Sequence, residues 1–246
     1  MAYLLKLAIN DMRNIIRDRF FLFAFFAYPV MLILFSRVLV HVIEPRIGDY
    51  ISFLAYESFS VVLMLFIVMT PFIYSFIAAF LILDERDEHL LTVLKIMPIS
   101  RTSFLAYRMM FMLIFSFIVL LIFPPLSGLI PMEGFAYLEY IPVAFLFAMF
   151  TPVAALIVAT FATNKVQAFA LFKIGGTVFL IPIFAFFFDL GSLQYAFAPI
   201  PNFWSLKALD SVLSAEISFD IVSLIIGFAF HIALIIGLFY LFNKKH

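Results

Sequence analysis

Asp84-Glu85-Arg86-Asp87-Glu88-His89-Leu90-Leu91-Thr92-Val93-Leu94-Lys95-Ile96-Met97-Pro98-Ile99-Ser100-Arg101 is the polar stretch that divides an otherwise oily chain. Wound as a helix, it sets Glu85, Glu88, Thr92 and Lys95 on one stripe and Leu90, Val93, Leu94 and Met97 on the opposite one. Pro98 stops the helix, because it has no N–H and disfavours helical backbone at Met97. The spacing therefore predicts a short amphipathic helix over 84–97, with its charge toward water, lying on one membrane face between two spans.

The rest of the chain supplies the membrane. Its 246 residues are 66% hydrophobic and 12% charged, with mean hydropathy +1.19, against about 45–50% and about 25% in soluble domains. The fold class that follows is an all-α, polytopic membrane protein forming a single transmembrane domain. Six apolar runs at about 20–43, 54–83, 104–130, 138–163, 168–189 and 219–242 each exceed the ~20 residues a bilayer requires. They are apolar all round, which excludes the alternating pattern of a β-barrel. Pro29, Pro71, Pro142, Pro152 and Pro182 fall inside them and predict kinks. Residues 1–19 read as an interfacial amphipathic helix, with Lys6, Arg13 and Arg17 on a basic face that suits lipid headgroups. A signal peptide is not expected, because the charges spread over several turns and the following run is too long.

Lysine and arginine set the orientation. With the N-terminus inside, Lys6, Arg13, Arg17, Arg19, Arg86, Lys95, Arg101, Arg108, Lys165, Lys173, Lys244 and Lys245 are cytoplasmic, and only Arg37, Arg46 and Lys207 are outside. The opening stretch then lies in the cytoplasm, and both termini are inside. Residues 190–218 form an extracytoplasmic segment, apolar for a loop, that is expected to rest on or dip into the membrane. Trp204 is its anchor, and Asn202 is placed to cap a helix over 203–213.

Several chemistries are missing from the sequence. No G-x-x-x-x-G-K-[ST] phosphate cradle occurs, so the chain does not hydrolyse nucleotide through such a loop. Cys is absent, and the four His (His41, His89, His231, His246) are far apart, so no catalytic residue or metal ligand is assigned. Ionisable groups within spans are candidates by default. Arg37 and His41 are one turn apart at the outer end of the first span, Glu57 is placed to pair with Arg37, and His231 sits mid-span as a helix–helix hydrogen-bond donor.

On these features the chain resembles the ABC-2 type transporter permeases. Their loop after the second span runs approximately E-R-E-x-G-T-L-E-x-L-L-x-T-P-L-S and then a basic residue. Glu85, Arg86, Asp87, Leu91, Leu94, Pro98, Ile99, Ser100 and Arg101 match it, while His89, Leu90, Thr92 and Lys95 depart from it. Pro201-Asn202-Phe203-Trp204 is similar to the family's Pro-x-x-Trp before the last span. The resemblance implies the permease subunit of an exporter in the plasma membrane. It implies a pair of six-span chains, identical or paralogous, and a separate ATPase subunit that carries ATP and Mg, with no cofactor on this chain. Glu85, Arg86, Glu88, Leu91, Leu94 and Pro98 would form the coupling helix that docks into the ATPase, and reversing Glu85 and Glu88 to Lys would uncouple transport without blocking insertion. Family substrates include drugs, antibiotics, lipids, polysaccharides and heme-related compounds; a hydrophobic or amphiphilic cargo is expected here. The rival readings are a CAAX-protease-like membrane enzyme and a membrane assembly protein without transport activity.

Overall fold

A computed structural model of the chain describes residues 2–47, 59–87, 101–133, 135–188, 190–214 and 218–245, and among these every regular element is helical. A first helix, α1 (Ala2–Arg17), precedes six helices long and apolar enough to cross a bilayer. They are α2 (Arg19–Arg46), α3 (Phe59–Asp87), α4 (Arg101–Ser127), α5 (Tyr137–Phe161), α6 (Lys165–Phe187) and, after a shorter helix α7 (Asn202–Leu213), α8 (Ile221–Lys245). The protein is an all-α membrane protein with six spans. Successive spans alternate in direction, so α1, the end of α3 and the start of α4 share one end of the bundle, called here the α1 end.

Burial ranks the helices. Of their apolar windows, 61% of α3 and 78% of α5 are buried, against 22% of α2 and 28% each of α6 and α8. The pair α3 and α5 is therefore the core, and the outer helices present residues such as Phe23, Met31, Leu34, Ile174, Ile225 and Ile236 outward. That distribution is what lipid permits, because apolar surface costs nothing on the hydrocarbon side.

Proline shapes the spans, and neighbouring side chains compensate. A proline removes the hydrogen bond to the carbonyl four residues earlier, and in hydrocarbon that carbonyl needs another donor. Pro29 frees the Phe25 carbonyl, just where α2 widens into a π-turn over Phe23–Ala27, and the Tyr74 hydroxyl of α3 donates to it at 3.0 Å. Pro124 and Pro125 of α4 free Leu120 and Leu121, which accept from the Tyr140 and Tyr137 hydroxyls of α5 at 2.9 and 2.6 Å. Pro152 accounts for the irregular turn at Met149 in α5. Pro182 breaks α6, and Asn202 of α7 donates from Nδ2 to the part-buried Phe179 carbonyl just before the break.

That last bond changes the expected role of Asn202. The helix begins at Asn202 itself, and the side chain staples α6 instead of capping α7. Helix α7 is not laid over the surface of the bundle. Phe203, Leu206, Ala208 and Leu209 are fully buried where α7 packs against α5 and α8. Ser205 and Ser211, also buried, are small enough for helices to approach on more than one side. Gly227 of α8 shows how close the approach is: a Cβ there would sit 2.6 Å from Leu146 Cδ2 and 3.2 Å from Trp204 Cβ.

Candidate functional site

At the α1 end the foot of α3 meets α1 and α4 around one buried cation. Arg108, two turns into α4, has 1% of its side chain exposed. Its Nη2 lies 2.9 Å from Asp11 Oδ1 on α1 and 2.5 Å from Glu85 Oε1 on α3. The Tyr107 hydroxyl donates to Asp11 Oδ2 at 3.1 Å, and the Phe104 ring sits 5.4 Å from the guanidinium carbon. Three helices therefore converge on a single guanidinium. Burial pushes the Asp11 carboxyl above the usual carboxylate range, against the opposing pull of Arg108 and the Tyr107 hydrogen bond.

The local sequence explains how α1 delivers an acid into this place. Ile15, one turn after Asp11, is fully buried, and Asp11 itself is 4% exposed. Asp11 lies at the edge of the apolar face of α1, and that edge turns into the bundle. The other edge of the same face leaves Ile9 and Ile16 about half exposed, at 46% and 52%. Asp18 then breaks the helix and accepts from the Phe20 and Phe21 N–H groups, which starts α2.

Further polar ties link the remaining feet. Lys165 of α6 pairs with Asp84 at 2.5 Å, Thr102 of α4 donates to Asn243 of α8 at 3.3 Å, and Lys245 of α8 donates to the Thr160 carbonyl of α5 at 2.9 Å. Beside the triad, a polar cleft of about 440 Å³ opens between α1 and α3, lined by Asn14, Arg17, Asp18, Phe21, Leu81, Asp84 and Glu85.

The sequence-predicted coupling residues divide here. Glu85 and Arg86 continue the helix of the second span, and Glu85 turns inward onto Arg108 instead of facing water. Its reversal to Lys would set two cations together in the interior, so it disrupts packing as well as any docking. Glu88, Leu91, Leu94 and Pro98 lie outside the described residues, as does most of the helix expected over 84–97. Arg13 and Arg17 are exposed on α1, and the side chain of Lys6 lies outside what the structure describes. Asp11 does not stand out in the sequence, and Arg108 reads there only as one cytoplasmic charge among twelve. The signals present were a lone acid on a basic helix and a cation beyond the first turn of a span.

At the far end, Arg37 Nε donates to the Leu126 carbonyl at 2.7 Å and Nη1 lies 3.4 Å from His41 Nε2. A cation on the last carbonyls of α4 suits the negative end of the helix dipole. Gly128 makes room for it: φ is +72°, and a Cβ would lie 3.4 Å from Arg37 Nη1. Glu57 is outside the described residues. Trp204 donates from Nε1 to the Ala198 carbonyl at 3.1 Å and packs on Phe203, so it is tied within the segment it was expected to anchor. His231 is fully buried, and its Nδ1–H donates to the Gly227 carbonyl one turn back at 2.8 Å, not to another helix.

No solved structure matches the chain. Two Mycobacterium tuberculosis proteins, from strains CDC 1551 and H37Rv, both bear the name fluoroquinolones export permease protein. Each is 24% identical over 239 residues, covering 96% of this chain and 92% of its own length. Residues 11–239, which begin at Asp11 and reach into all six spans, match the sequence model of the Rv2686c-like fluoroquinolones export permease proteins, and the chain belongs to that family.

Proposed function

We propose that this chain is the permease subunit of an ATP-driven exporter of the ABC-2 type. In this reading two six-span chains pair in the plasma membrane, and a separate subunit binds ATP and Mg. The observation that carries the reading is membership of an export permease family in a chain whose sequence holds no phosphate-binding loop: the permease needs an energy source supplied by a partner. The α1 end is then cytoplasmic, in keeping with twelve Lys and Arg on that side against three on the other. Exposed Ile9 and Ile16 suit α1 to the lipid interface, with Arg13 and Arg17 among the headgroups.

Within this reading Arg86, Glu88, Leu91, Leu94 and Pro98 meet the ATPase, and Glu85 anchors their base from inside. The cargo is hydrophobic or amphiphilic; fluoroquinolones, named in the relatives, are the first candidates. An apolar recess of about 440 Å³ between α3 and α6, lined by Val61, Val62, Leu65, Leu180 and Phe184 among others, has the size of a drug-binding cavity.

Purification in mild detergent tests the proposal. A P-loop ATPase is expected to accompany the chain, and the reconstituted complex is expected to accumulate a fluoroquinolone in inverted vesicles only when ATP is present. Isolation of the folded chain with no ATPase, from cells that express its neighbours, would overturn it. Glu88→Lys is expected to lower ATP-driven accumulation with membrane insertion intact.

A further inference from the structure

Arg108 holds two carboxylates with one nitrogen. Nη2 serves both Asp11 and Glu85, while the equally buried Nε and Nη1 have no acceptor among the described residues. A guanidinium grips a carboxylate best through two nitrogens at once. The observed arrangement divides its least efficient contact between two helices and leaves most of the fork unused. Closing a two-nitrogen grip on one carboxylate would draw Arg108 away from the other.

Each carboxylate has somewhere to go when released. Asp11 keeps the Tyr107 hydroxyl, bound on the oxygen that Arg108 does not use. Glu85 already lines the polar cleft with Asn14 and Arg17. Asp84 is occupied by Lys165 and does not compete for Arg108. The Phe104 ring gives the guanidinium a face that favours it in either position. Both alternatives are thereby solvated or hydrogen-bonded, as a two-state element requires.

We propose that Arg108 is a positioning residue that trades its grip between Asp11 and Glu85, so that α1 and the foot of α3 are held in alternation. The proposal rests on the permease reading for its purpose, since the foot of α3 leads directly into the sequence expected to meet the ATPase. The exchange itself belongs to the permease alone.

Hydrogen exchange of the full chain in lipid nanodiscs tests it. Asp11→Asn is expected to speed exchange at residues 10–17 and, through a tightened grip on Glu85, to slow it about fivefold at residues 81–86. Glu85→Gln is expected to give the mirror image. In an Arg108→Lys background, where one ammonium replaces the fork, the slowing should vanish while the loosening remains. A static clamp slows nothing when one partner is removed, so unchanged or faster exchange at residues 81–86 in Asp11→Asn overturns the proposal. If that variant does not fold, Glu85→Gln decides alone: slower exchange in α1 supports the trade, and unchanged or faster exchange sinks it. No ATPase takes part, so a missing ATPase counts against the permease reading and leaves this result standing, and the reverse also holds.

Discussion

A guanidinium taken out of water must be neutralised by its neighbours, and Arg108 has two of them on separate helices. Arg108→Met leaves two carboxylates facing each other without a counter-ion, and it is expected to cost about 3–5 kcal/mol in unfolding free energy, read by thermal denaturation in detergent. Asp11 adds a pH dependence. Its folded pKa is raised, so the folded state takes up its proton at a higher pH than the unfolded chain does. The stability linked to this group is complete below the ordinary carboxylate value and is lost as pH rises through the folded one. Asp11→Asn is therefore expected to gain melting temperature relative to wild type as pH is raised from mildly acidic to neutral. A difference independent of pH would show that Asp11 titrates normally. The triad was poorly legible in the sequence because Asp11 and Arg108 are 97 positions apart, and no local period joins them. Each looked ordinary alone, one an acid on an amphipathic helix and the other a basic residue near a membrane face.

Among the elements, the spans were legible almost to their ends, since about twenty consecutive apolar residues have few other stable forms. Irregular turns accompany the prolines at Pro29, Pro152 and Pro182, whereas Pro71 and Pro142 sit within uninterrupted helix; the side chains that meet freed carbonyls sit on other helices and were not legible. A double-mutant cycle on Tyr140 and Pro124 tests that relation. Tyr140→Phe is expected to destabilise by about 1 kcal/mol in the wild type and by less in a Pro124→Ala background, where the Leu120 carbonyl regains its helical donor. Gly227→Ala is expected to destabilise more, about 1–3 kcal/mol, because its methyl would meet Leu146 in a packed contact. Helix α7 was legible as a helix and not as an interior one. Its apolar residues suit a membrane surface equally well, and only the shape of the bundle gives it a slot between α5 and α8.

Over the whole molecule the two ends are built differently. The α1 end is bound by charge, both buried around Arg108 and exposed at Asp84–Lys165. Salt separates the two kinds of tie, since screening acts on exposed pairs and spares buried ones. Lys165→Gln is expected to cost no more than about 1 kcal/mol and to lose that effect at 1 M salt, whereas the cost of Arg108→Met persists there. At the far end the ties are mostly backbone carbonyls that accept from Arg37, Tyr137, Tyr140, Trp204 and Asn202. Those bonds have a kinematic consequence. A proline left without a compensating donor makes a looser joint, about which the two halves of a helix bend more easily. Where Tyr137 and Tyr140 of α5 occupy the carbonyls released in α4, the joint is engaged like a clutch. The far ends of α4 and α5 then turn as one lever, and the bundle gains a separate degree of freedom there only when both phenols let go together.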